Sequence, residues 1–209
     1  SEVDYALESF YAGRKQMGKS YPFNFQIAQI LGQKGDVEGM IKEYLDVLEI
    51  SPGYIQSVQN TLNRVVGFDE DNRYNEVLLT ELQRRIQKNP NDDIYAEMLI
   101  WIYMKQNKFE MALLQVKALD KRNKEDGERV MEMSELALNN HRYNVAIDGF
   151  SYVKAKGPKT YYYSAAMTGE LSSLKAKVTE GKYDRLSIET LIGKYELALE
   201  ELGTGASSS

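Results

Sequence analysis

Asn107-Lys108-Phe109-Glu110-Met111-Ala112-Leu113 and His141-Arg142-Tyr143-Asn144-Val145-Ala146-Ile147 are the two stretches whose alignment decides the fold. They lie 34 residues apart, inside consecutive blocks 93–126 and 127–160 that are each 34 residues long. Both read as a polar turn, an aromatic, then a small residue followed by an aliphatic one. A period of that length with this cadence marks a helix–turn–helix repeat, a unit that buries its apolar face only by stacking on its neighbours. The aromatic opens a second helix, and the alanine three residues on lets that helix approach its partner closely.

On these residues the blocks resemble tetratricopeptide repeats. The resemblance implies an all-α chain, a right-handed superhelix of about eleven antiparallel helices, and a role as a binding scaffold. Working outward, Tyr21–Tyr54 reads as a complete repeat. Pro22 suits the first turn of a helix, and Phe25, Ile27, Ala28, Ile30 and Leu31 form an apolar face at helical spacing. Gly35-Asp36 closes that helix, a second one runs from Val37 to Glu49, and Ser51-Pro52-Gly53 ends it because proline cannot continue the hydrogen-bond ladder. Gly35, Asp36, Tyr44 and Pro52 all match the family pattern. Met40 and Ile100 depart from it, since the family has small residues there, and Met40 is expected to widen its helix pair unless Gly39 yields.

Residues 1–20 read as the second half of a repeat, with Ala6 and Phe10 falling 34 before Met40 and Tyr44. Such a start, with no initiating Met and no charged-then-apolar leader, is expected of a piece of a longer array or of a processed chain. The unit 55–92 is degenerate: Ile55, Val58, Leu62 and Val65 mark one helix, Gly67 to Asn72 a long turn, and Val77, Leu78, Leu82 and Ile86 another helix. Asp69, Glu70 and Asp71 invite a calcium reading, but Arg73 stands where an EF-hand loop needs an oxygen ligand. An acidic helix N-terminus is the plainer account. Asn91-Asp92-Asp93 caps the helix Ile94–Gln106, which is apolar nearly all round and therefore buried on several sides. An end unit, 161–202, carries Tyr161-Tyr162-Tyr163, of which at least one ring is expected in the core, and a Gly181-Lys182-Tyr183 turn. Residues 1–202 read as one domain and 203–209 as a flexible tail.

Composition narrows the function. The chain has 209 residues, net charge −5 and 43% hydrophobic content, so no broad basic surface is present to neutralise a phosphate backbone. No apolar run reaches the length of a membrane span. Cysteine is absent, which removes thiolate chemistry and Cys-ligated zinc and leaves the compartment open. The one histidine, His141, falls in a turn, and no nucleophile–base pair, phosphate loop or metal-ligand spacing is readable. Glu97 and Glu135 are the only carboxylates that invite an acid–base reading, and solvated charge is the simpler one. No catalytic residue, cofactor or metal is expected.

What the family implies is a non-catalytic scaffold that holds a peptide or protein in a concave groove lined by the first helix of each pair. Carried over position by position, the groove residues are Phe25, Gln29, Gln56, Gln59, Asn63, Glu97, Trp101, Lys105, Met131, Glu135, Asn139 and Tyr162. Phe25 stands where the chaperone-binding members have their first clamp lysine, so a terminal-carboxylate clamp is not expected. Two alternatives are an accessory domain of a larger enzyme or envelope assembly, and a nucleic-acid-binding helical repeat, which would need more basic groove positions than Lys105. The degenerate repeats, rich in Tyr, Asn and Gln, resemble those of bacterial cell-envelope members, periplasmic or surface-exposed. Val3, Leu7, Phe10 and Tyr11 leave an apolar face on the first helix that a homodimer through residues 1–17 would cover.

Overall fold

The computed structural model describes residues 2–67, 73–180 and 185–206, with backbone alone for residues 19 and 202–206. Among the described residues it holds eleven α-helices and no strand, as the all-α reading requires. The acidic stretch Asp69-Glu70-Asp71, the Gly181-Lys182-Tyr183 turn and the last three serines lie outside them. Two compact units form, residues 1–107 and 108–209. The first contains α1 (Glu2–Met17), α2 (Asn24–Gln33), α3 (Val37–Ile50), α4 (Ile55–Val65), α5 (Arg73–Lys88) and α6 (Asp93–Lys105). The second contains α7 (Phe109–Asn123), α8 (Glu128–Asn139), α9 (Tyr143–Lys154), α10 (Tyr163–Glu180) and α11 (Arg185–Ala206).

Sequence chemistry sets the helix ends. Gly35, Asn107 and His141 hold equivalent turn positions and all have left-handed backbone, with φ of 78°, 55° and 57°. Glycine adopts that region freely, whereas asparagine and histidine do so at some strain. The same closing bond follows twice: the Asp36 amide donates to the Leu31 carbonyl at 2.9 Å and the Arg142 amide to the Ala137 carbonyl at 2.8 Å. These six-residue closures satisfy carbonyls that the helix end would otherwise leave bare. At helix starts, Asp36 accepts from the Gly39 amide at 2.9 Å and Asp92 from the Ile94 amide at 3.1 Å. Each such cap contributes about 1 kcal/mol.

In the first unit the core gathers Ile27, Met40, Ile41, Leu45, Leu48, Val58, Leu62, Leu78, Leu82, Tyr95, Met98 and Ile102. Met40 is accommodated, but by a different glycine from the one expected. A Cβ on Gly32 would lie 2.9 Å from the Met40 sulfur, whereas Gly39 faces the Asp36 carboxylate and serves the cap. Val66 replaces Val65 in the core, because the chain leaves α4 in an extended conformation and turns that next side chain inward. No residue of α1 is buried, although Leu7 and Phe10 pack on the core from outside.

In the second unit the crossings are set by small residues. Ala112 and Ala146 are completely buried. Neighbouring positions on α9 serve both flanks: a Cβ on Gly149 would meet Ser134 Oγ of α8 at 1.9 Å, while the Phe150 ring fills the space left by Gly169 of α10. Burying that ring contributes about 1.5–3 kcal/mol. The tyrosine run differs from expectation, since none of its rings enters the core. Tyr161 is 87% exposed, and Tyr162 and Tyr163 are half-buried, because the run spans the turn into α10 and only Tyr163 belongs to the helix. Residues 203–206, expected in the tail, continue α11 to Ala206.

Carboxylates carry the pH response. Glu81, only 6% exposed, accepts from Arg84 at 2.6 Å and from Arg85 at 2.8 Å. The Arg84 hydrogen bonds, helped by Arg85 and opposed by burial, hold its pKa down to about 2. For Glu170 burial pushes upward, and Lys154, Lys194 and Ser151 together outweigh it, leaving the carboxyl below its ordinary value.

Two expectations follow. Gly169→Ala would place its Cβ 2.5 Å from the Phe150 ring and is expected to destabilise by about 1–3 kcal/mol. Gly193→Ala, with nothing within 4 Å of the new methyl, should stabilise by about 0.5–1 kcal/mol; thermal midpoints of the two variants moving in the same direction would contradict the packing described. Secondly, a carboxylate with a depressed folded pKa contributes stability above its unfolded pKa and loses it as pH falls. Denaturation midpoints should therefore drop between pH 4.5 and about 2, and Glu81→Gln should be less stable at neutral pH and show a shallower slope in that window.

Candidate functional site

Tyr21, Pro22 and Phe23 form the approach to α2, and their geometry builds an aromatic concavity in the first unit. Phe23 takes a left-handed φ of 55° while its carbonyl accepts from the Ile27 amide at 2.9 Å. An aromatic residue in that region is strained, and packing supplies the compensation. The Phe23 ring lies 4.6 Å from Tyr21 and 5.5 Å from Phe10, and Gly13 leaves the space it needs. Phe25, on the first turn of α2, sits 6.4 Å from Tyr54, which is delivered by the short 3-10 turn Pro52–Tyr54 after α3. With Val47 and Ile50, these rings line a pocket of about 230 Å³. Tyr21, Ile50 and Tyr54 remain 49%, 42% and 47% exposed.

A polar relay underlies the pocket. Arg14 of α1 donates to the Pro22 carbonyl at 2.6 Å and grips Glu43 of α3 with both terminal nitrogens, at 2.9 and 2.6 Å. The Glu43 hydrogen bond is the main reason the guanidinium pKa is raised despite partial burial. Glu43 also accepts from Asn24 Nδ2 at 2.7 Å. Asn24 lines the pocket, is only 5% exposed, and its Oδ1 finds no partner among the described residues. Leaving a buried acceptor unpaired costs about 1–3 kcal/mol.

Of the groove positions expected from sequence, Phe25 is the one that joins this pocket. Gln29, Gln56, Asn63 and Lys105 are exposed on the first unit, and Gln59 and Glu97 are half-buried. Trp101 is half-buried and packs on the apolar core. In the second unit Glu135 and Asn139 are exposed and Tyr162 is half-buried. Met131 is a correction: it is 5% exposed, because its side chain completes the inner face of α8 beside Val130 and Ser134, so it offers a partner almost nothing. Tyr21, Phe23, Asn24 and Tyr54 were not singled out from sequence as site residues.

The remaining polar features are local. Tyr161 and Tyr162 stack edge to face at 4.8 Å above Glu125, Asp126, Glu128 and Arg129. Burial, then the neighbouring Glu128, pushes the Tyr162 hydroxyl pKa up. His141 is exposed in its turn, with Nδ1 2.6 Å from the Tyr143 hydroxyl and 3.0 Å from Glu180. The hydrogen bond to Glu180 is the main cause that pushes Tyr143 up to about 12. Glu97 stands in one unit and Glu135 in the other.

Trp101→Ala, which removes a side chain only part of which is packed, is expected to cost less than the roughly 3–5 kcal/mol of a fully buried tryptophan while leaving the pocket intact. Chemical denaturation, together with the near-ultraviolet signal of the pocket tyrosines, measures both. A stability change within error would mean that Trp101 is free of the core.

Compared with known protein families and with curated proteins, the chain matches no family model and no protein significantly.

Proposed function

We propose that this chain is a non-catalytic protein-interaction module of tetratricopeptide-repeat type, in which the aromatic pocket of the first unit takes a segment of a partner protein. The observation that carries the reading is that pocket: four aromatic rings converge on one concavity, and two of them, Tyr21 and Tyr54, keep about half their surface in water. Aromatic side chains are enriched where binding energy is concentrated, and an apolar set left open this way is the usual mark of an interaction site.

Two further observations support the repeat reading. Left-handed turn residues recur at Gly35, Asn107 and His141. Within each unit the principal helix contacts also run between neighbours and next neighbours, such as α3 with α5, α4 with α6, α7 with α9 and α8 with α10. That nearest-neighbour pattern suits a stacked repeat array. In this reading successive helix pairs wind as a right-handed superhelix, and α2 presents Phe25 and Gln29 toward the groove.

Tyr54→Ala is the direct test, since Tyr54 is exposed enough for its removal to leave stability within about 0.5 kcal/mol. A partner retained by the intact chain in a pull-down should bind the variant about 2 kcal/mol more weakly, read by titration calorimetry with the purified partner. Equal affinity, with the variant folded, would place the binding surface elsewhere.

A further inference from the structure

We propose that the outer face of α11 docks an amphipathic helix of a partner protein, one whose apolar stripe is edged by lysine or arginine. This surface belongs to the second unit and shares no residue with the aromatic pocket of the first.

Spacing comes first. Ile188, Ile192, Tyr195 and Leu199 follow one another at steps of four, three and four residues, the repeat that keeps one stripe of a helix facing a second helix. A different side holds α11 in place. That side carries Lys194, which pairs with Glu170 of α10, Ala198, which is 5% exposed, and Glu201, which accepts from the Tyr163 hydroxyl at 2.6 Å. Helical rotation sets the stripe roughly a third of a turn away from it. Ile192, Tyr195 and Leu199 are accordingly 51%, 40% and 70% exposed, and Ile188 is half-buried. A contiguous apolar stripe open to water is the mark of a docking face.

Charge selects the occupant. A glutamate directly follows three of the four stripe residues, at Glu189, Glu196 and Glu200, and all three are exposed. They edge the stripe on its solvent side. The two cations of α11 leave this row acidic, since Lys194 is engaged by Glu170 and Arg185 pairs with Glu189 alone, at 2.7 Å. A second copy is therefore the wrong occupant. Antiparallel pairing of two such stripes sets Glu189 of each beside Glu196 of the other, and parallel pairing needs the opposite flank, where Ala198 is buried and Leu191 half-buried. The same acids repel an anionic membrane surface. Cations along one edge of an incoming helix meet the row of carboxylates, which fixes the orientation of that helix and rejects acidic competitors.

The test uses the full chain and two fluorescein-labelled peptides about three heptads long, read by fluorescence polarisation. Each has a leucine stripe at the spacing of α11, edged by lysine in one and by glutamate in the other. The lysine peptide should bind about tenfold more tightly than the glutamate peptide and gain helicity on binding. Leu199→Ser, at an exposed position, should abolish that binding, whereas Tyr54→Ala should leave it unchanged. Glu189→Lys combined with Glu196→Lys should reverse the preference between the two peptides. A lysine peptide with its leucines scrambled measures charge attraction alone, and its binding as tightly as the ordered one overturns the proposal. So does a preference within about twofold, or binding untouched by Leu199→Ser. Sedimentation showing a dimer of the chain that Leu199→Ser dissolves also overturns it and assigns the face to a second copy. Each of these failures leaves the pocket reading of the first unit in place, because that reading is decided by Tyr54→Ala.

Discussion

The guanidinium of Arg85 is 5% exposed, and the first unit is assembled around it. It donates to Asp46 at 2.5 Å and Glu49 at 3.1 Å on α3, to Glu81 at 2.8 Å on its own helix, to the Tyr95 hydroxyl at 3.2 Å on α6, and to the Lys42 carbonyl at 3.3 Å. Its carbon also lies 5.4 Å from the centre of the Tyr95 ring. Burial pushes the guanidinium pKa down, but the bonds to Asp46, Tyr95 and Glu81 outweigh it and leave the group above its ordinary value. Such a centre contributes little net energy relative to a well-packed apolar substitute, and because three carboxylates share the cation, no one of them carries it alone. What it supplies is register: only one relative setting of α3, α5 and α6 satisfies all five donors. Glu170 has the same role in the second unit, where Ser151 and Lys154 of α9 and Lys194 of α11 converge on a carboxylate 2% exposed.

Helices, their order and their turns were legible because they depend on local signals. Pro52, Gly35, Asp92 and the alternation of aromatic and small residues each act within a few residues of themselves. The buried polar groups were not legible for the opposite reason. Along α5 the inner face runs Asn75, Leu78, Glu81, Leu82, Arg85, and a reading that sorts residues into apolar-in and polar-out assigns three of these five to solvent. Asp120 escaped in the same way. It follows Val116 at helical spacing and is fully buried, because the Tyr152 hydroxyl at 2.7 Å and the Lys156 amine at 2.6 Å come from the far side of the pair to meet it. Such partners are distant in sequence, and no period announces them.

The candidate site divides along the same line. Phe25 was found because the repeat alignment assigns that position to the groove. Tyr21, Phe23 and Tyr54 were missed because they sit in connections, where helical periodicity says nothing. A signal was nevertheless present: Tyr21, Phe23 and Phe25 alternate, a period of two that has no place on a helix, with Pro22 between the first two. Met131 was assigned to the groove by the same alignment and proved buried, because its side chain belongs to the inner face of α8 with Val130 and Ser134.

The pocket and α1 are coupled through Arg14, which reaches both Pro22 and Glu43, and through the Phe23 ring, which packs on Phe10 and Gly13. Arg14 is the group of α1 that reaches Glu43, and Glu43 in turn holds Asn24 in the orientation that leaves its Oδ1 unsatisfied. None of α1 is buried, so its docking relies on this contact, on Leu7 and Phe10 against the core, and on the Lys34 to Asp4 pair at the surface. A helix held by so few contacts belongs to the low-stability end of a structure. When it lifts, Glu43 loses its counter-charge and Pro22 its donor, and the rim of the pocket is released with it. Any ligand that fills the pocket binds the docked state better and so favours it, by as much as its affinity for the two states differs. In the binding reading proposed above, the first helix is thereby part of the device, although none of its residues lines the pocket.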